Sequence, residues 1–173
     1  MKRFLVLLVV LSMFLVACVE VTPTKVDTTT KGDNTSTQAT TVAKVETFAI
    51  GDSIQAGDYL FTVNGVREDK GTEFIKPKDG QIYYLVDVTV ENKTDKSVSV
   101  SSLIMFKLFD SEGYNYSVTI GPETKGSVNG EVAAGRKLRG ELVYEIPKES
   151  KGLELEIDPS LWGTGKVIVK LDR

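Results

Sequence analysis

Gln81-Ile82-Tyr83-Tyr84-Leu85-Val86-Asp87-Val88-Thr89-Val90-Glu91 decides the fold. Ile82, Tyr84, Val86, Val88 and Val90 share one face, while Tyr83, Leu85, Asp87, Thr89 and Glu91 share the other. A period of two in β-branched and aromatic residues, with charge on one side, predicts a half-buried antiparallel strand. Asn92-Lys93-Thr94-Asp95-Lys96 is a turn, leading into a strand at 97–100 and another at 105–109.

The same grammar extends in both directions. Upstream, Ile50–Ile54 reads as a short first strand turned by Ala56-Gly57-Asp58. Tyr59–Val66 alternates next, with Tyr59, Phe61 and Val63 on one face. Residues 67–80 are polar, contain Pro77 and two glycines, and read as a long loop. Downstream, Asp110-Ser111-Glu112-Gly113 is a tight turn into a strand at 114–120, and residues 121–130 form a second polar loop. In Lys137–Ile146, Leu138, Gly140, Leu142, Tyr144 and Ile146 face one way, and Pro147 ends the ladder because it has no amide proton to donate. Leu153, Leu155 and Ile157, then Val167, Val169 and Leu171, mark the last two strands. No helical repeat interrupts the series. The fold class is all-β, an immunoglobulin-like antiparallel β-sandwich of about seven to nine strands over residues 48–173.

Two further units precede the sandwich. Lys2 and Arg3 lead a thirteen-residue run, Phe4 to Val16, that is apolar apart from Ser12. That is too short for a bilayer crossing, which takes about 20 residues, but suits a secretory signal. Leu15-Val16-Ala17-Cys18 has the form of a bacterial lipobox, and Cys18 is the only cysteine in the chain. Residues 1–17 are therefore expected to be a lipoprotein signal peptide. Cys18 is the expected lipidation site, carrying a diacylglycerol. Residues 18–47 continue with ten threonines and no aromatic residue. That composition does not bury enough surface to offset its ordering entropy, so a disordered tether is expected.

Charge and composition exclude several roles. Loss of Lys2 and Arg3 leaves 19 basic against 24 acidic residues, a net charge near −5. An acidic chain without a basic cluster is a poor partner for nucleic acid, whose affinity rests on phosphate neutralisation. Membrane attachment is then expected through the lipid, two acyl chains holding where one would leak. The absence of histidine removes Ser–His and Cys–His catalysis and imidazole zinc sites. No phosphate-binding loop or nucleophile elbow is present. No enzyme activity and no cofactor are expected.

The order of six phrases carries a resemblance. They are Gly51-Asp52-Ser53-Ile54, Phe61–Val66, Val86–Lys93, Phe106–Gly113, Gly135 with Gly140–Pro147, and Gly152–Leu155. Together they resemble the immunoglobulin-like domain of uncharacterised Gram-positive lipoproteins, in the superfamily of the mycobacterial immunoprotective extracellular antigen. The resemblance covers about residues 50–171. It implies a β-sandwich on the outer face of the cell membrane and brings no catalytic residues with it. The antibody-type Cys–Trp–Cys core is absent, since Trp162 stands near the end and no cysteine pair exists.

Candidate site residues are few. Asp110-Ser111-Glu112-Gly113 resembles a fragment of a calcium loop, but also a plain hairpin turn with glycine at positive φ. Asp69, Glu73 and Asp79 are candidate carboxylates, or solvated charges. Tyr83, Tyr114, Tyr116 and Trp162 are candidate stacking residues, or covers for the ends of the core. The expected function is binding of a protein or cell-envelope component by loops 67–80 and 121–130. The alternative is a carbohydrate-binding accessory using Tyr114, Tyr116 or Trp162.

Overall fold

The computed structural model describes residues 47–160 and 166–171. Cys18 and Trp162 lie outside the described residues. The strands are β1 (Thr47–Ala49), β2 (Ser53–Ala56), β3 (Tyr59–Asp69), β4 (Gln81–Asn92), β5 (Val98–Val100), β6 (Phe106–Phe109), β7 (Asn115–Tyr116), β8 (Gly130–Val132), β9 (Lys137–Pro147), β10 (Glu154–Ile157) and β11 (Val167–Lys170). One turn of helix, α1 (Ser102–Met105), precedes β6. The strand count exceeds the expectation because the expected first strand is divided into β1 and β2 and because β8, three residues long, was not expected. Such pieces are too short to show a period.

One sheet has the order β1-β11-β10-β6-β7 and the other β2-β3-β4-β9, with β5 and β8 paired separately. All pairings among the described residues are antiparallel except β1 with β11. The expected first strand at 50–54 is divided between the sheets. β1 runs along β11, Gly51 turns at φ +93°, and β2 returns along β3. On the opposite side, the chain leaves β7 and reaches β9, where Thr119 N donates to Val143 O at 2.9 Å. The expected strand at 114–120 is thus two paired residues followed by a crossing. Both open sides of the sandwich carry a segment that changes sheets, which blunts the strand edges.

The inward face of β4 is as its alternation predicts. Ile82, Tyr84, Val86, Val88 and Val90 pack with Phe61, Leu142, Tyr144, Phe106, Leu108, Leu155 and Val169 in one core. The outward face departs from the expectation in its upper half, where Tyr83 and Leu85 are buried with Val143. Segment 119–123 lies across them. A Cβ at Gly121 would sit 2.5 Å from Val143 Cγ1 and 3.3 Å from the Tyr83 ring, so only a glycine allows this approach. The lower half, Asp87, Thr89 and Glu91, stays partly open.

The expected loop at 67–80 is also shortened, because β3 continues to Asp69. A bulge at Asn64 explains how. Before it, Phe61 and Val63 point inward; an unbroken alternation would send Arg67 inward as well. The extra residue resets the parity, so Val66 opposes inward Val86 and Arg67 opposes outward Leu85. Asn64 itself donates to Asp87 Oδ1 at 3.0 Å and to Thr89 Oγ1 at 2.9 Å.

Candidate functional site

Strand register separates the two ends of the sandwich. Thr47 pairs with Ile168, Ile168 with Glu156, and Glu156 with Lys107. The described chain therefore begins toward the end that holds α1 and Pro159. The β6–β7 turn, the start of β4, the end of β9 and loop 70–80 gather at the other end. Ser111 N donates to Lys151 O at 2.9 Å, and Lys148 N to Gly80 O at 3.0 Å, tying these pieces together. β3 alone spans eleven residues, about 36 Å, between the two ends.

Asp110 organises this end. Its Oδ1 accepts from Glu112 N at 3.0 Å and Tyr114 N at 2.9 Å, and its Oδ2 accepts from the Tyr116 hydroxyl at 2.7 Å. Gly113 takes φ +87°, as the hairpin reading requires. Burial alone would raise the Asp110 pKa; the Tyr116 hydroxyl and the turn amides outweigh it and hold the carboxyl below its usual range. The carboxylate is spent on its own hairpin. It folds the turn and has no geometry for a calcium loop.

The hairpin sets out two tyrosines. Tyr114 is 63% exposed, while Tyr116 is half-buried and reaches within 3.3 Å of Ser150 Oγ as well as Asp110. Two clefts share Tyr114, Tyr116 and Pro147. One, of 340 Å³, continues to Glu112, Glu149 and Lys151. The other, of 460 Å³, continues to Lys78, Gln81 and Glu145. The result is a trough of mixed polar and apolar lining with an aromatic wall. Two of the expected aromatics are thus brought together, and Tyr83 is not: it is buried under Gly121, as described above.

The other candidates divide similarly. Asp69 faces Arg67, whose Nη1 lies 2.8 Å from Asp69 Oδ2, so it serves the sheet. Glu73 and Asp79 are exposed on loop 70–80. The expected contact loop at 121–130 is pinned to the sandwich at several points while Glu123, Lys125 and Asn129 stay exposed. Val128 is in the core, Pro122 is buried, and Gly126 and Ser127 press on Gly140 of β9. Its polar composition hid this because backbone atoms, not side chains, make much of the contact.

A feature with no signal in the strand pattern is the tip of loop 70–80. Phe74 is 92% exposed there, and Lys70, Lys76, Lys78 and Lys148 line a 230 Å³ cleft beside it with Asp79. Among the described residues no group of three or more Asp, Glu, His or Cys side chains is placed to hold a metal.

Known proteins agree with this architecture. The chain is 32% identical to the uncharacterized lipoprotein YjhA of Bacillus subtilis over 116 residues, 65% of this chain and 52% of YjhA. It is 28% identical to the uncharacterized protein YxkC of the same organism, over 61% of this chain and 66% of YxkC. The chain thus spans about half to two thirds of these relatives' lengths. The crystal structure of YjhA superposes with a TM-score of 0.57 at 26% identity, covering 72% of this chain and 99% of that one. The secreted protein MPT63 of Mycobacterium tuberculosis gives 0.55 at 13% identity, over 76% of this chain and 99% of MPT63, a likeness of fold. An uncharacterized β-sandwich protein of Clostridium difficile gives 0.53 at 15%, over 75% of this chain and 95% of that one. Residues 48–167 match the family described as a domain of unknown function, DUF4352, and the chain belongs to that family.

Proposed function

We propose that this chain is a lipid-anchored protein of the outer face of the cell membrane whose sandwich binds a protein or cell-envelope component at its hairpin end. Acylation at Cys18, after removal of residues 1–17, is the proposed anchor; the lipobox sequence and a relative called a lipoprotein support it. The observation that carries the binding reading is the segregation of the two ends. The chain enters the described sandwich near α1, and Tyr114 and Tyr116 with their clefts lie at the far end. Exposed aromatics beside clefts are the residues that usually carry recognition. A binding role without catalysis fits a chain without histidine whose hairpin carboxylate is already occupied.

Two measurements test this. Metabolic acyl labelling of the Cys18→Ser variant should vanish, and the protein should leave the membrane fraction or remain as precursor; persistent labelling defeats the anchor. Replacement of Tyr114 by Ala should abolish retention on isolated cell envelopes without changing the melting temperature, and unchanged retention defeats the hairpin-end site. The carbohydrate reading is favoured specifically by the tyrosine wall of the trough. It requires glycan-array hits that disappear with Tyr114→Ala.

A further inference from the structure

Loop 70–80 holds its tip in place by itself. Gly71 N donates to Asp69 Oδ1 at 2.8 Å, and Thr72 N donates to Ile75 O at 2.8 Å. Thr72 Oγ1 accepts from Phe74 N at 3.3 Å and from Ile75 N at 3.1 Å. Gly71 takes φ +76°, and a Cβ there would lie 2.0 Å from Ile75 O, so the turn closes only with glycine. These bonds hold Phe74 clear of the sandwich. A ring fixed in solvent gains nothing for folding, but it loses little entropy when another surface buries it.

The surroundings specify that surface. The adjoining cleft is lined by Lys70, Lys76, Lys78 and Lys148, with Asp79 as its one carboxylate, and Glu73 stands exposed beside Phe74. Among the described residues, the ion pairs engage Arg67, Lys93, Arg139 and Lys166; Lys70, Lys76 and Lys78 make none. We propose that this tip touches an anionic lipid bilayer, with Phe74 entering the acyl boundary and the three lysines meeting lipid phosphates. An apolar wedge flanked by cations matches both layers of such an interface. A phosphodiester polymer would satisfy the lysines and leave Phe74 in water.

This inference rests on the reading that Cys18 anchors the chain. An anchor keeps the bilayer at high effective concentration, so a contact of few residues suffices.

The test supplies the anchor chemically. The chain from Cys18 onward is coupled through that thiol to maleimide lipids in vesicles, so its outcome does not depend on whether cells acylate Cys18. A Phe74→Trp, Trp162→Phe variant places the only indole at the tip, and brominated acyl chains report its depth. On phosphatidylglycerol vesicles its emission should be quenched, and about 0.5 M salt should reverse the effect by screening. On phosphatidylcholine it should not be quenched. Lys76→Glu and Lys78→Glu should each lower the inserted fraction about fivefold or more, with the melting temperature unchanged. Absence of quenching on phosphatidylglycerol overturns the proposal. So does a salt-sensitive response to soluble poly(glycerol phosphate) that requires the lysines but leaves the indole unquenched in vesicles; that result would assign the tip to a polyanion. Failure of the anchor reading would appear separately, as loss of acyl labelling in cells.

Discussion

Arg67 of β3 reaches diagonally past β4 to Glu141 of β9, its Nε 2.8 Å from Oε1 and its Nη2 2.9 Å from Oε2. The paired geometry matches fork to carboxylate. Lys125 N adds a third bond to Oε2 at 2.9 Å, and Arg67 Nη2 also donates to Glu123 O at 3.2 Å. The pair therefore joins three elements: β3, β9 and the crossing segment 121–130. The bulge at Asn64 makes it possible by turning Arg67 outward.

The Glu141 side chain is only 5% exposed, so its ionisation should be felt in stability. The Arg67 hydrogen bonds hold its pKa below the usual 4.5, against the opposing effect of burial. A folded pKa below the unfolded value gives stability that is present above pH 4.5 and lost as pH falls through the folded value. Melting temperature should therefore drop on acidification below pH 4.5, and part of that slope should vanish in Glu141→Gln. At pH 7, Arg67→Met should cost about 1–3 kcal/mol, the lower part reflecting the partly exposed guanidinium. A pH series of thermal melts on the three proteins checks both statements.

Asn92 is fully buried at the end of β4. Its Nδ2 donates to Lys96 O at 2.5 Å and Val132 O at 2.9 Å, and its Oδ1 accepts from Thr94 N and Thr94 Oγ1 at 2.9 and 2.8 Å. One side chain thus closes the 92–96 turn and fastens β8 to it. Asn92→Ala removes the side-chain donor to the buried Val132 carbonyl and the acceptor of Thr94, and should cost about 2–4 kcal/mol, measured by urea denaturation. Asn92→Asp, which cannot donate, should be no better.

Tyr144 presents the opposite case. Its hydroxyl is buried with no hydrogen-bond partner among the described residues, and burial pushes its pKa up. Removing an unsatisfied buried hydroxyl should be neutral or favourable. Tyr144→Phe is expected to leave stability unchanged or raise it by about 1 kcal/mol, with the ring packing retained. A melting temperature that falls by several degrees would contradict this.

Gly140 tests the crossing segment. A Cβ there would lie 2.5 Å from Ser127 N and 2.8 Å from the Gly126 carbonyl carbon. Backbone cannot give way as a side-chain tip can, so Gly140→Ala should cost about 1–3 kcal/mol. Hydrogen exchange should quicken in residues 119–128 before it does in β4.

Some of this was legible in the chain and some was not. β4 and β9 could be read residue by residue, because burial on a pleated sheet imposes a period of two on side-chain type. The Asp110 hairpin was legible for a similar reason: its bonds are local and its glycine is demanded by φ. The short strand β8 carries too few residues to express a period, and β7 keeps only two residues of its expected span. Tyr83 shares a parity with Asp87 and Glu91, and nothing in that parity says that Gly121 covers it.

By itself the sequence determined the sandwich class, the inward face of the long strands and the places of its tight turns. These follow from periodicity and backbone sterics, which act between near neighbours. Only the tertiary structure decided that β1 and β2 belong to different sheets, that Asn64 turns Arg67 toward Glu141, and that the 121–130 segment is pinned at Pro122, Gly126 and Val128. It also decided that Tyr114, Phe74 and four lysines stand at the end opposite the chain's entry. Those outcomes depend on contacts between residues far apart in the chain, where hydrogen bonds and close backbone approaches join positions that no local pattern relates.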